Sequence, residues 1–256
     1  MRQAGRAWRA MAIMVAASCL AACAPAAYQS GRGGSGAQPT VASLEYYPFQ
    51  VKGYQNSYAR RKILVLMPVD AHQAAAGVAA QSYQGNVPIG VTENATGSPT
   101  EELYSAPLAP VVQNAIRQSA TEAGLIASTS NATTYDRAKD LKEDYVLESR
   151  IVRCWVTKRP GPGGEAGPAW FSTAEFALEV TIYKPPFAVP FWQGKSGSNY
   201  DDPPLDSNAI SPEDETAIYD QPSQVLSVAM TRAVAGIFNR TELYALVNDD
   251  RMSARR

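Results

Sequence analysis

The chain has 256 residues, with 23 Lys+Arg against 24 Asp+Glu, one His, three Cys, 18 Gly, 18 Pro and 45% hydrophobic residues. That length supports one good-sized core or two small ones. A formal charge of −1 with no block of five or six like charges argues against a nucleic-acid partner, which needs a dense basic face. The single histidine, His72, leaves no material for a His-rich zinc site, and any Ser-His or Cys-His pair has to pass through it.

Residues 1–22 carry Arg2, Arg6 and Arg9 and no acid, followed by an apolar run from Ala10 to Ala22 broken only by Ser18 and Cys19. This is the charged start and short hydrophobic segment of an export signal. The run is too short for a membrane-crossing helix, which takes roughly 20 apolar residues.

The run ends in Leu20-Ala21-Ala22-Cys23, which resembles the bacterial lipobox. The resemblance implies that Leu20, Ala21 and Ala22 are read by a signal peptidase, that the chain is cut before Cys23, and that Cys23 receives a diacylglyceryl group and an acylated amino terminus. Three acyl chains exceed the two signals that stable anchoring requires. Ala24, rather than Asp, follows the modified cysteine and favours the outer over the inner membrane. Without the signal the chain keeps 20 basic and 24 acidic residues, a balance of about −4. Cys154 is then the one thiol besides the anchor, and its strand-like setting Val152-Arg153-Cys154-Trp155-Val156 predicts a buried, inert side chain.

Residues 23–43 are mostly Ala, Gly, Ser, Pro and Gln with one charge, Arg32. They predict a flexible tether with an r.m.s. reach of roughly 25 Å. A single domain is expected over 44–240, with long loops at 70–104 and 199–221 and a tail over 241–256. The aromatic cluster Tyr46, Tyr47, Phe49, Tyr54 and Tyr58 is expected on the domain's edge. Ile63–Val69 is a continuous aliphatic run and reads as a buried strand.

The insert that follows, from Asp70 to Glu102, is rich in Ala, Gln, Gly and Asn. It predicts either an unstructured loop or a hairpin arm of 78–83 with 87–92 around Gln84-Gly85-Asn86, suited by its small, uncharged side chains to packing on a second subunit. Within it, Asp70 and His72 point to the same side of an extended segment, a pairing able to orient a base or hold a metal. Nothing in the sequence completes such a site, and His72 is expected to be a surface or loop residue. Val111, Val112, Ala115, Ile116, Ala120 and Ala123 recur at helical spacing, with Pro107 and Pro110 at the start and Gly124 as a stop. A short strand at Leu125-Ile126-Ala127 and a polar helical turn over Asp136–Lys142 come next.

Tyr145–Lys158 and the alternating stretch beginning at Trp170 predict a long hairpin with one wet face. Pro185-Pro186 breaks it, and Phe191-Trp192-Gln193-Gly194 predicts a third strand. The stretch Tyr200–Asp220 holds seven acids and reads as a solvated loop. Ser223 is expected to cap a helix with Val225, Leu226, Ala229, Met230, Ala233, Val234, Ile237 and Phe238 on its apolar face. The order is therefore β-α-(β)-β-β-β-α.

Taken together, the strand Lys62–Pro68, the helix closing in Ala123-Gly124-Leu125, the element Asp144-Tyr145-Val146-Leu147-Glu148-Ser149-Arg150-Ile151 and the C-terminal Ala/Val helix resemble a group of envelope lipoproteins. These are the curli-secretion lipoproteins, the activators of penicillin-binding proteins and the auxiliary lipoproteins of ABC-type lipid transporters. The resemblance implies an α/β (α+β) fold, two main helices packed on a mostly antiparallel sheet of four or five strands. It also implies a non-enzymatic accessory or structural subunit of an envelope assembly. The partners expected are the membrane through Cys23, an envelope protein or a second copy, and no nucleic acid; no cofactor or metal is called for. The alternative is a carrier of lipid or glycan with a pocket lined by Trp155, Trp170 and Trp192.

Overall fold

The computed structural model of the chain describes residues 40–47, 61–72, 84–136, 140–161, 170–201, 222–245 and 247. The export signal, Leu20, Ala21, Ala22, the lipidation site Cys23 and the tether up to residue 39 lie outside the described residues. So do Phe49, Tyr54, Tyr58, the first half of the expected hairpin arm and most of the acidic stretch.

In chain order the elements are β1 (Thr40–Ala42), β2 (Lys62–Leu66), β3 (Val69–Asp70), β4 (Val87–Glu93), β5 (Pro99–Ser105), α1 (Leu108–Glu122), β6 (Ile126–Ser130), β7 (Tyr145–Pro160), β8 (Trp170–Tyr183), β9 (Pro190–Asp201) and α2 (Pro222–Phe238). The two expected helices are present, and they pack side by side on the sheet. The sheet has nine strands among the described residues, against the four or five expected.

β7 organises that sheet. Along one edge it pairs antiparallel with β8 over its whole length, from Val146 opposite Tyr183 to Pro160 opposite Trp170. Along the other it pairs parallel with three short strands in turn: β2 at 145–147, β3 at 150–151 and β4 at 156–158. β9 continues the antiparallel ladder beyond β8. The long β7–β8–β9 meander makes antiparallel pairing dominant, while β2–β6 and β1–β5 add parallel pairs at the two ends.

Local chemistry explains why the strands dock where they do. Asp144 accepts hydrogen bonds from the Arg61 guanidinium (3.1 Å) and the Lys62 backbone N–H (2.8 Å), which pins the start of β7 to the start of β2. The buried Gln113 of α1 donates to the backbone carbonyls of Val65 (3.1 Å) and Ser130 (2.8 Å), tying the helix to the ends of β2 and β6. Pro107 precedes the first turn of α1, and Gly124, at φ +97°, closes its end as the stop signal predicts.

The core lies between helices and sheet. Ala174, Phe176, Leu178, Val180 and Ile182 of β8 point inward, as their alternation predicts, and meet Val225, Leu226, Ala229, Met230, Ala233, Val234, Ile237 and Phe238 of α2. Ser223 sits inside the first turn of α2, which begins one residue earlier than the expected cap.

Four boundaries need correction. The domain starts by Thr40 rather than 44, because β1 pairs with β5, so the expected tether of 23–43 ends earlier. The loop at 70–104 is folded where described: β4 and β5 form an antiparallel hairpin. The arm's expected second strand is real, and its antiparallel partner is the following segment, Pro99–Ser105. The loop at 199–221 loses its first residues to β9, which runs to Asp201. Finally, the tail at 241–256 is not wholly outside the domain, since Leu243 and Val247 are buried in the core.

Candidate functional site

A groove of about 490 Å³ opens on the helical side of the sheet. Its walls are the first strand β1 with the following Ser43, Glu45 and Tyr47, the hairpin β4–β5, and the first turn of α2 at Pro222, Ser223 and Gln224. Ile89 and Leu103, both buried, form an apolar floor, and Glu45, Glu101, Lys158, Thr40 and Thr92 supply polar groups. The Thr40 hydroxyl donates to Glu101, holding β1 against β5. Such a volume with an apolar base and a few polar groups is of the size that takes a small or extended ligand. Neither β1, in a segment rich in small residues, nor the weakly alternating Pro99–Ser105 signals this site in the sequence.

The three tryptophans do not converge. Register places Trp155 opposite Glu175 and its neighbour Cys154 opposite Phe176, so Trp155 lies on the sheet face away from the helices. Trp192 is opposite Ile182 on the helical side, where its indole folds over Gly194 and packs on the core. Trp170 is at the far end of β8, 12 residues before Ile182, which is roughly 40 Å along a strand. It alone approaches the groove, through Lys158, whose ammonium stands 5.4 Å from the indole centroid. The sequence lists aromatic residues but not which side of a sheet or which end of a strand they occupy, and a common pocket required both.

His72 is buried, only 2% exposed, so it is not the surface residue that was one of the two expectations. Its Nδ1 meets Asp70 Oδ1, and its Nε2 lies 3.0 Å from the carbonyl oxygen of Pro88 in β4. Both ring nitrogens thus face acceptors, an arrangement that the doubly protonated imidazolium satisfies and the neutral ring does not. Burial lowers the His72 pKa, but the hydrogen bonds the ring donates to Asp70 and Pro88 and the Asp70 charge outweigh it and leave it raised. With both nitrogens engaged, the ring is a structural clasp between β3 and β4 and has no free lone pair with which to act as a base.

Cys154 is buried as expected, and burial, with the nearby charge of Asp70, pushes its thiol well above the ordinary range. Among the described residues no group of three or more His, Cys, Asp or Glu side chains is placed to hold a metal ion. No helix of the described residues is long and apolar enough to cross a membrane.

No protein-family model matches the chain, and no curated protein sequence does. Solved structures do. The chain is similar to a Xanthomonas campestris protein of the family DUF330, at 11% identity and a TM-score of 0.44, over 84% of this chain and 99% of the other. It is similar to a neuraminyllactose-binding hemagglutinin homolog from Helicobacter pylori, at 12% identity and a TM-score of 0.39, over 81% and 99%. A lipoprotein from Neisseria meningitidis matches at 14% identity and a TM-score of 0.23, over 59% and 88%.

Proposed function

We propose that the chain is a lipid-anchored protein of the bacterial envelope, held at the membrane by Cys23, and that its α/β domain serves as a non-enzymatic accessory or structural subunit of an envelope assembly. The observation that carries the reading is the lipobox Leu20-Ala21-Ala22-Cys23 directly after an export-type hydrophobic run. The side chains most suited to catalysis support the non-enzymatic half of it, since His72 is held at both nitrogens and Cys154 is a buried thiol with a raised pKa. The outer membrane is the favoured site, from Ala24 after the anchor.

Two measurements test this. Cys23→Ala is expected to move the protein from the membrane to the soluble fraction; continued fractionation with membranes overturns the anchor. Recovery of the wild-type protein from gently solubilised membranes is expected to bring a partner or a second copy with it, and recovery as a lone monomer counts against the assembly role. The groove favours a second reading, a carrier of a lipid or glycan. The site for such a ligand is then the β1–β5–α2 groove with Trp170 at its margin, in place of a pocket built from three tryptophans.

A further inference from the structure

Pro186, Phe187, Ala188, Val189 and Pro190, at the turn between β8 and β9, are five consecutive exposed residues without a charge. Phe187 is 61% exposed and Val189 75%, the highest values among the large apolar side chains of the described residues. The turn is ordered from behind: the Phe187 N–H bonds the carbonyl of Lys184 (2.9 Å), and Phe191 packs on Tyr145 with ring centroids 5.2 Å apart. Lys184 precedes the stretch and Lys195 follows it with no acid between them in sequence, Lys195 being paired with Glu179 of β8 (2.7 Å). We infer that this tip is a membrane-contact element, which inserts Phe187 and Val189 into the interfacial layer of a bilayer.

Size decides between occupants. Two large side chains, an alanine and two prolines expose at most a few hundred Å², well short of the roughly 800 Å² per partner that a stable protein interface or dimer takes. A tip of this size is sufficient as a second, weak membrane signal on a protein already held at the surface, where anchoring supplies a high effective concentration. The apolar tip with flanking aromatic and lysine residues matches the chemistry of the water–lipid boundary.

The register places the chain's entry to the domain at the other end of the sheet. Thr40 lies in the same cross-strand row as Leu103, Gly90 and Val156, whereas Tyr183 and Pro190 flank the tip in the row of Val146. Ten residues of β7 separate the rows, about 33 Å. The 16 residues between Cys23 and Thr40 span at most about 55 Å when extended. That bound exceeds the separation of the rows, so the length of the chain from Cys23 allows the tip to reach the bilayer that holds Cys23.

The location of the bilayer rests on the lipid-anchor reading, so the test supplies the anchor chemically. The chain from Cys23 onward, which contains the whole compact unit Pro39–Arg256, is coupled through Cys23 to maleimide-bearing vesicles of phosphatidylcholine and phosphatidylglycerol. Buried Cys154 does not compete. In Phe187→Trp, vesicles with brominated acyl chains are expected to quench the added indole emission about twofold, beyond the background from Trp155, Trp170 and Trp192 in the parent. Adding Val189→Asp is expected to abolish that increment with the far-ultraviolet dichroism unchanged. Vesicle-bound protein with no increment overturns the inference. So does a vesicle-independent blue shift that grows with protein concentration, which assigns the tip to a second copy. Native lipidation plays no part in this outcome; it is judged by Cys23→Ala in cells.

Discussion

Asp70 and His72 show how spacing alone misleads about role. Two residues apart in an extended segment, they do share a side, and their side chains pair. What separates a catalytic pair from a structural one is the second nitrogen, and here it faces the Pro88 carbonyl of a strand brought in from 16 residues away. The consequence is a stability that depends on pH. The native His72 pKa lies above its unfolded value near 6.5, so the folded state binds the proton more tightly. Its stabilising contribution is complete below about pH 6.5 and is lost as pH rises through the raised native pKa. Thermal unfolding from about pH 5 to about pH 9 is therefore expected to show a midpoint that falls across this window. The same series on His72→Gln is expected to be flatter, and an unchanged slope in that variant would remove His72 from the explanation.

At the scale of elements, the packing of α2 on β9 depends on small residues that carry no hydrophobic signal. The Ser196 hydroxyl donates to the carbonyl of Ala233 (2.5 Å), and a Cβ on Gly236 would stand 2.7 Å from Ser196 Oγ. Gly236→Val is expected to lower stability by about 1–3 kcal/mol in chemical denaturation, because either the Ser196 hydroxyl leaves its bond to Ala233 or the helix lifts from the strand. Adding Ser196→Gly removes the obstructing oxygen and is expected to recover part of the loss. Strict additivity of the two would show that the contact does not couple them.

This packing also explains which elements are legible in the sequence. β8 was readable because its inward residues are large and apolar and alternate with Thr173, Glu175, Glu179 and Thr181. Only the start of β9, Phe191-Trp192-Gln193-Gly194, was readable: Lys195-Ser196-Gly197-Ser198 carries no apolar alternation, yet an edge strand under a close helix needs small residues there. β4 and β5 were half-hidden for a related reason. Their hairpin is closed by Asn94, whose side-chain oxygen accepts from the N–H groups of Thr96 (3.0 Å) and Ser98 (2.9 Å), a turn within what otherwise looks like an unstructured polar insert. At Gly90 the chain approaches β7 so closely that a Cβ would lie 2.0 Å from the Val156 carbonyl oxygen, so a residue that weakens a strand's pattern is the one this pairing requires. The groove inherits that illegibility, since β1, β4 and β5 build it.

At the scale of the molecule, β7 links two halves that the sequence keeps apart. One of its ends carries β2 and β6, the other carries β4, β5 and β1, and the register shift against β8 between Ile151 and Arg153 falls between those partners. A bulge there adds twist at the point where the neighbour on the other edge changes from β3 to β4. The groove end and the apolar tip are therefore held together by one strand and by the helices across it, not by separate cores. Ile151, fully buried at this junction, tests that continuity. Ile151→Ala is expected to destabilise the domain by about 2–5 kcal/mol through the cavity it leaves. If the two halves form one cooperative unit, the loss appears as one earlier transition, with near- and far-ultraviolet dichroism still coincident. Two separated transitions would instead mean that the β1–β5–β4 end unfolds by itself, and the groove would then be a site on an independently opening part of the sheet.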